Sequence, residues 1–274
     1  MKERFKAIFQ TNKPIIGMIH LAGENNKDRV RRALEELAIY QEEGVNGAII
    51  EDYHGTSQDV YETLKESSTK GLKIVRGVNI LKNPYSGFKL ASDFGARFMQ
   101  FDSVQTPDLD LGLYDKLRKE HPDVAVLGGI GFKYISPTGN PLEVDLEDGI
   151  SRCEAIVTTG SGTGIETPVE KLREYKRLLR EFPLIVGAGV NLDNVKEQLQ
   201  ICDGAIVGSY FKPYGNTHLP IDRKRVKDLM DIVRQLRAWI EEKVGELIFR
   251  TNLSWAFNFK NKKKHIPQRF PYLL

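Results

Sequence analysis

Three observations predict that this chain is an α/β protein folded as a closed (β/α)8 barrel. Short runs of apolar and β-branched residues alternate eight times with stretches of helical periodicity, which indicates a parallel sheet. Eight parallel strands close such a barrel, and 274 residues fit one barrel domain. A doubly wound open sheet is the alternative, but the glycine pattern of dinucleotide-binding folds does not follow the first strand.

The first four strands are predicted from apolar runs that each end near a polar side chain. They are Lys13–His20, Val45–Ile50, Leu72–Val78 and Ala96–Phe101. We expect helices over the periodic residues up to Gly44, after a cap at Ser57, and over residues 84–94. The pair Thr106–Pro107 is typical of the cap and first residue of the next helix.

The last four strands are shorter and lead into loops rich in glycine. Two of them are Val124–Leu127 and Ala155–Thr158, and the other two begin at Leu184 and Gly204. Residues 134–144 are expected to be irregular, with a helix only from 145 to 152. The segment 167–170 has capping-box spacing with proline at its first helical position, and the final helix is expected from Asp222.

The composition bounds the class of protein. With 41% hydrophobic and 28% charged residues it is ordinary for a soluble globular domain. No apolar run is long enough to cross a bilayer, and the N-terminus lacks the apolar core of a signal peptide, so we expect a cytoplasmic location. Cys153 and Cys202 lie beside different strands and indicate neither a disulfide framework nor a metal site.

Two glycine turns in tandem predict a phosphate site. They follow the strands that begin at Leu184 and Gly204, and in such barrels the loops after the seventh and eighth strands commonly hold a phosphate. Asn191 is a good N-cap, so the amides of the following helical turn are expected to face an anion. The residues predicted to bind phosphate are Gly187, Gly189, Gly208 and Ser209.

Polar residues at the other strand ends are the candidates for chemistry, because the carboxyl ends of barrel strands meet at one mouth. Glu51 or Asp52 could act with Asp102 as general acid and base, with mutual repulsion raising one pKa. The same carboxylates could instead hold Mg²⁺ together with a substrate phosphate, and Mg²⁺ is the one candidate cofactor. The other predicted ligand-binding residues are Asn79, Thr158, Gly160 and Ser161.

Two further residues are candidates for catalysis. His20 could shuttle protons, and the alternative is a histidine that is only hydrogen-bonded in place. Lys133 could contact an anion or form a Schiff base. His54 is a secondary candidate, while no role is assigned to His121 or His218. The loop 159–166, rich in glycine, serine and threonine, is either a lid over the substrate or a slack surface loop.

A basic aromatic tail, residues 250–274, is expected to follow a single barrel domain of residues 1–249. The tail holds six basic and no acidic residues, so the net charge of +3 leaves −3 on the rest, and no nucleic-acid binding is expected. The tail suits a membrane surface, RNA or an acidic protein partner. The favoured interpretation is that its aromatic residues pack on the barrel or in a homo-oligomer interface, leaving Lys260–Lys264 solvated.

Five sequence blocks stand out between Lys13 and Val233. They are PIIGMIH at 14–20, GVNIL at 77–81, IVTTG at 156–160, VGAGV at 186–190 and DGAIVGS at 203–209. Together and in this order, the blocks resemble the BtpA/SgcQ family. The resemblance implies a TIM barrel of the ribulose-phosphate-binding type. It also implies a link to photosystem I biogenesis in photosynthetic relatives and a sugar-metabolic role in others.

Two hypotheses of function follow. The first is a cytoplasmic enzyme that acts on a small phosphorylated metabolite, such as a phosphosugar or a nucleotide fragment. Its reaction would be that of a lyase, of an isomerase or epimerase, or the cleavage of a glycosidic bond. The second is a non-catalytic biogenesis or assembly factor, for photosystem I or another membrane complex, which keeps the barrel as a scaffold and binds its partner through the tail.

Overall fold

A computed structural model describes the backbone of residues 2–106 and 108–262, with side chains described up to Glu246 except those of Lys2 and Val244. Eight parallel strands form a closed barrel in sequence order, and β8 pairs with β1. The predicted (β/α)8 TIM barrel is therefore confirmed. The strands are β1 (Ile15–Ile19), β2 (Gly47–Glu51), β3 (Val75–Asn79), β4 (Phe98–Phe101), β5 (Ala125–Gly129), β6 (Ala155–Thr159), β7 (Leu184–Gly187) and β8 (Gly204–Val207).

One helix precedes the first strand, and the other α-helices follow the strands around the outside of the barrel. They are α1 (Lys2–Phe9), α2 (Asn26–Glu42), α3 (Ser57–Thr69), α4 (Ser86–Asp93), α5 (Leu111–Glu120), α6 (Leu142–Arg152), α7 (Val169–Leu179), α8 (Val195–Ile201) and α9 (Arg223–Lys262). Contacts divide the chain into two units after Val233. The first unit is the barrel, and the second consists, in the described residues, of the rest of α9.

The N-terminal helix closes the bottom of the barrel. Phe9 of α1 meets Phe98 of β4 edge to face, with ring centroids 5.3 Å apart. A side chain on Gly47 would lie 2.8 Å from the Phe9 ring, so glycine is required there. The aromatic tail was expected to pack on the barrel or in an interface. Its backbone is helical to Lys262, but the side chains that would make those contacts lie outside the described residues.

Several helices begin elsewhere than predicted. In α3 the N-cap is Thr56, not Ser57, because Thr56 and Asp59 form a complete capping box. Helix α5 is capped by Asp110, so Thr106 does not start it, and Pro107 lies outside the described residues. Helix α6 begins three residues earlier than expected, at Leu142.

The capping box predicted at 167–170 does not form, although α7 begins there. The hydroxyl of Thr167 is buried and lies 3.4 Å from the carbonyl oxygen of Gly187, at the end of β7. It therefore holds the loop after β6 against the loop after β7. In the described residues, no helix is both long enough and apolar enough to cross a membrane.

Candidate functional site

The last inward-facing residues of the strands form one layer at the mouth of the barrel. Side chains alternate in direction along a strand, so residues two apart share a face. Ile16 and Met18 of β1 lie in the interior core, which brings His20 to the mouth. The same alternation brings to this layer Glu51, Asn79, Asp102, Thr159, Gly187 and Gly208. The layer is polar along β1–β4 and lined by small residues along β6–β8, which leaves space opposite the carboxylates.

Glu51 and Asp102 share one amide donor. The Nδ2 atom of Asn79 donates to Glu51 Oε1 at 2.9 Å and to Asp102 Oδ1 at 3.0 Å. Burial raises the pKa of the Glu51 carboxyl to about 8, and the charge of Asp102 adds to the rise. Glu51 is therefore mainly protonated at neutral pH and can give a proton.

Asp102 is better suited to the ionised form. Burial raises its pKa too, but two donors, Gln100 Nε2 at 2.7 Å and Asn79 Nδ2, share its Oδ1 atom and oppose the rise, as does the charge of Lys133. Hydrogen bonds to a carboxylate favour its charged form. The pair thus combines a proton donor with a proton acceptor at one rim.

His20 is buried and held beside this pair. Burial lowers the pKa of its imidazole well below the ordinary value, and the charge of Lys212 adds to this effect. The ring therefore stays neutral near pH 7, which argues against the predicted proton shuttle at that pH. Its Nδ1 atom has no hydrogen-bond partner in the described residues, and such a buried atom is usually satisfied by a ligand or water.

Lys133 brings a positive charge to the rim from the loop after β5. Its backbone N–H donates to Thr159 Oγ1 at 2.7 Å, and its Nζ atom lies 5.7 Å from the ring centroid of Phe132. Its charge acts on both Glu51 and Asp102. Within the described residues Nζ makes no ion pair, so it can contact a negative charge on a substrate.

Two predicted site residues point away from the mouth. Asp52 follows inward-facing Glu51, so its carboxylate faces outward, where it accepts from the N–H of Leu81 at 2.8 Å. Thr158 precedes inward-facing Thr159 and is fully buried, with its hydroxyl 3.5 Å from the carbonyl oxygen of Gly131. Asp52 and Thr158 are therefore placed as structural residues, and Thr159 is the threonine that faces the mouth.

A cavity of about 280 Å³ lies at the carboxyl ends of β7 and β8, and we call it the cradle. Its lining residues include Gly189, Val190, Asn191, Ser209, Tyr210 and Arg225. Within the described residues, the backbone N–H groups of Gly189, Val190, Ser209 and Tyr210 donate to no protein acceptor. Amides without acceptors in a turn are the groups that bind phosphate and other anions.

Arg225 adds a full positive charge to the cradle. Its Nη1 donates to the carbonyl of Tyr210 at 3.1 Å, and its guanidinium lies 5.3 Å from the Tyr210 ring centroid. Sequence reasoning missed Arg225 because it lies on α9, sixteen positions beyond Ser209. The available signal was its place in the first turn of the helix that follows the eighth strand.

The four residues predicted to bind phosphate lie in different places. Gly189 lines the cradle, and Gly208 lines a central cavity of about 40 Å³ together with His20, Glu51 and Lys133. Ser209 lines both cavities. Gly187 packs near Val157 and Thr159 inside the barrel.

Asn191 does not leave the following amides free. Its Oδ1 accepts from the N–H groups of Asp193 and Asn194, and α8 begins only at Val195. The amides of the cradle that lack protein acceptors therefore come from the two turns and not from the start of α8.

The loop 160–167 covers the central cavity. Its tip, Thr163 and Gly164, lines both the cradle and the central cavity, and a side chain on Gly164 would lie 3.1 Å from Ser209 Oγ. Tyr134 holds the tip, because its hydroxyl accepts from the Thr163 N–H at 3.0 Å. Of the other predicted residues here, Gly160 packs against the backbone of Glu166, and Ser161 is exposed. Both line a further cavity beside the loop 130–140.

The residues present do not fit Mg²⁺. The described part of the chain holds no group of three or more His, Cys, Asp or Glu side chains placed to bind a metal. Glu51 and Asp102 are connected by Nδ2 of Asn79, which donates hydrogen bonds and is not an oxygen ligand of the kind that Mg²⁺ prefers. The carboxylate of Asp52 points away from them.

His54 lies at the rim as a structural residue. Its backbone N–H donates to the carbonyl of His20 at 3.0 Å, and its Nε2 lies 2.8 Å from Thr217 Oγ1. Its ring stacks on His218 with centroids 3.8 Å apart. These contacts fix the chain that follows β1 and β2.

Comparison with solved structures supports the same architecture. Phosphoribosyl anthranilate isomerase from Thermococcus kodakaraensis superposes with a TM-score of 0.56 at 16% identity, over 81% of this chain and 99% of the isomerase. A likeness at this identity shows the fold alone.

Comparison with known sequences gives the family. The photosystem I biogenesis protein BtpA of Synechocystis sp. is 28% identical over 258 residues, which cover 83% of this chain and 90% of that protein. The putative sgc region protein SgcQ of Escherichia coli is 24% identical over 265 residues, 85% and 98% of the two chains. The model of the BtpA family matches residues 11–235, and the chain therefore belongs to the BtpA family.

Proposed function

We propose that this protein is an enzyme that acts on a small phosphorylated metabolite, such as a phosphosugar or a nucleotide fragment. The observation that carries the proposal is the cradle beside an acid–base pair. Four amides without protein acceptors and the guanidinium of Arg225 suit a phosphate. Thr163, Gly164 and Ser209 line both this cavity and the central one, which Glu51 also lines.

The proposed chemistry is proton transfer at the central cavity. Glu51, whose pKa lies near 8, gives a proton to the substrate, and Asp102 takes one from it. Lys133 stabilises negative charge that develops between them, and Asn79 holds the two carboxyl groups at a fixed separation. An isomerase or epimerase, a lyase, and an enzyme that cleaves a glycosidic bond all use such a pair.

The loop 160–167 must open for substrate to enter. The central cavity of about 40 Å³ is large enough for a water molecule but not for a phosphosugar. A loop that closes over the substrate would exclude water from the reacting atoms. Gly162 and Gly164, on either side of Thr163, allow such a movement, and Gly164 has a φ of +75°.

A second candidate function comes from the comparisons. The relative from Synechocystis sp. is named as a photosystem I biogenesis protein. On the basis of this relative, the second proposal is that the chain is an assembly factor whose barrel serves as a scaffold. The two proposals differ in what they require of the carboxyl groups, because a scaffold needs a folded barrel but not a proton donor.

Ligand binding is tested first by thermal shift with inorganic phosphate, glycerol 3-phosphate and ribose 5-phosphate, with glycerol and ribose as controls. A ligand that binds only the folded state raises the Tm. We expect a rise with the phosphorylated compounds alone and its loss in Arg225→Gln. No rise with any of the three, or an equal rise in the variant, would contradict the phosphate assignment.

Catalysis is tested next with the ligand that gives the greatest rise, by following its conversion by nuclear magnetic resonance. We expect Asp102→Asn to retain binding and to lower turnover by roughly 100-fold or more, as for a general base. If Asp102→Asn turns over ligand like the unaltered protein, Asp102 is not the base. If a folded Glu51→Gln, Asp102→Asn double variant still complements a deletion strain, the scaffold function is favoured.

A further inference from the structure

A second cavity, about 630 Å³ in volume, continues the site on the side of β5 and β6, and we call it the side cavity. It lies between the loop 130–140 and the start of α7. Lys133 lines both the side cavity and the central cavity. Thr163 and Gly164 in turn connect the central cavity to the cradle. The three cavities therefore form one series, with Glu51 in the wall of the middle one.

Two of the charged groups in the wall of the side cavity, Asp145 and Lys171, are held by hydrogen bonds to the protein. The Asp145 carboxylate is buried and accepts from Thr138 Oγ1 and Gln105 Nε2, both at 2.8 Å. The Lys171 ammonium donates to the carbonyl oxygens of Gly131 and Thr159, both at 2.7 Å. Lys133, whose Nζ atom has no ion-pair partner in the described residues, lies where the side cavity meets the central one.

The rest of the wall suits a neutral ring. Phe132, Tyr134 and Tyr175 line the side cavity, and 73% of the Tyr134 surface is exposed. Aromatic side chains favour stacked or edge-on contact with another ring. The loop backbone from 135 to 140 and from 159 to 161 adds polar groups that can hydrogen-bond to the edge of such a ring.

We infer that the side cavity binds the neutral, ring-shaped end of an extended substrate whose phosphate lies in the cradle. The substrate class is a phosphorylated sugar that carries an uncharged heterocycle. This inference rests on the proposed function, because it takes the cradle as the phosphate end. The reacting bond then lies between the two ends, next to Glu51 and Asp102.

Calorimetric titration tests the inference with two probes, ribose 5-phosphate and uridine 5′-monophosphate, which share the phosphorylated sugar and differ in the neutral base. We expect the nucleotide to bind at least about tenfold more tightly, because its base adds contacts in the side cavity. Ser136→Trp, which places a large side chain on an exposed position of the side cavity, is expected to remove this gain. Ser136→Ala is the matched control and is expected to keep it.

The outcomes separate the inference from the proposed function. If ribose 5-phosphate binds and depends on Arg225, but the nucleotide binds no more tightly, the side cavity does not hold the ring and the proposed function stands. If the nucleotide still binds more tightly than ribose 5-phosphate in Ser136→Trp, the inference is overturned in the same way. If neither probe binds, the phosphate assignment fails and the inference fails with it.

Discussion

At the scale of single residues, the protonation of Glu51 links the stability of the fold to the proposed chemistry. Its carboxyl is buried, beside Asp102, and shares the amide of Asn79. Water would stabilise the charged form in the unfolded chain, where the pKa is near its ordinary value of 4.5. The folded protein holds the proton up to about pH 8, so folding and ionisation oppose each other between these two values.

The first prediction concerns stability against pH. Between pH 4.5 and about 8 the folded state binds more protons than the unfolded state at Glu51, so the free energy of unfolding falls as pH rises through this window. The full contribution is at most about 5 kcal/mol. In Glu51→Gln the side chain no longer titrates, so urea denaturation at a series of pH values is expected to give a flatter profile.

A surface substitution provides the comparison for this prediction. Glu66→Gln changes an exposed carboxyl of α3 to the same amide, and we expect its profile to follow that of the unaltered protein. If Glu51→Gln and the unaltered protein lose stability in parallel between pH 4.5 and 8, the carboxyl of Glu51 is not protonated in the folded state.

The face of the sheet on which a side chain lies was also predicted wrongly at two strand ends. Strand ends can be located only to within a residue or two, and a shift of one residue turns a side chain to the other face of the sheet. For that reason the sequence points to Asp52 as well as Glu51, and to Thr158 in place of the inward-facing Thr159. The inward face of β2 could have been found from Ile49, which lies in the interior core two residues before Glu51.

At the scale of elements, the turn after β7 and the loop after β6 are packed on each other. Gly189 has a φ of +71°, and a Cβ there would lie 2.3 Å from the Cα of Glu166. The close approach at this glycine is therefore to protein backbone. The loop 160–167 is thus part of the wall that shapes the cradle.

The second prediction separates the cost of a side chain at a positive φ from the cost of its contact with the backbone of Glu166. Gly71 has a similar φ of +67°, but a Cβ there would meet no atom within 4 Å, so Gly71→Ala is expected to cost only about 1 kcal/mol. Gly189→Ala is expected to cost roughly 2 kcal/mol more, because the loop backbone must move. Denaturant midpoints measure both, and equal costs would show that the contact with Glu166 is absent in solution.

The third prediction concerns the hydroxyl that holds the loop tip. Tyr134→Phe removes the acceptor of the Thr163 N–H, so this amide is expected to exchange with solvent about fivefold faster. Tyr214→Phe, at a position that is 96% exposed, is the matched control. Unchanged exchange at Thr163 in Tyr134→Phe would mean that the tyrosine does not hold the loop closed.

At the scale of the whole molecule, the fold could be predicted because its signal is repeated eight times along the chain. Each strand is apolar and each helix is periodic, so an error in one boundary does not change the architecture. The candidate site is less predictable, because Arg225 is brought to the cradle by the fold and no local pattern near Ser209 indicates it. The same applies to Gln100, whose amide supports Asp102 from two residues earlier.

The C-terminal part of the chain remains a prediction. Helix α9 runs to Lys262, through the first half of the segment expected to form a basic aromatic tail. Binding of that segment to a membrane, a protein partner or a second copy of the chain is independent of the reaction proposed at the mouth of the barrel. Deleting residues 250–274 is expected to leave phosphate binding unchanged, because every described residue that lines the cradle precedes it.

The measurement that tests the central claim most directly is a crystal structure grown in millimolar sulfate or phosphate. We predict a tetrahedral anion in the cradle, within hydrogen-bond distance of the amides of Gly189, Val190, Ser209 and Tyr210 and of the Arg225 guanidinium. A cradle that is filled by the protein's own side chains, with the anion bound elsewhere or not at all, would contradict the account.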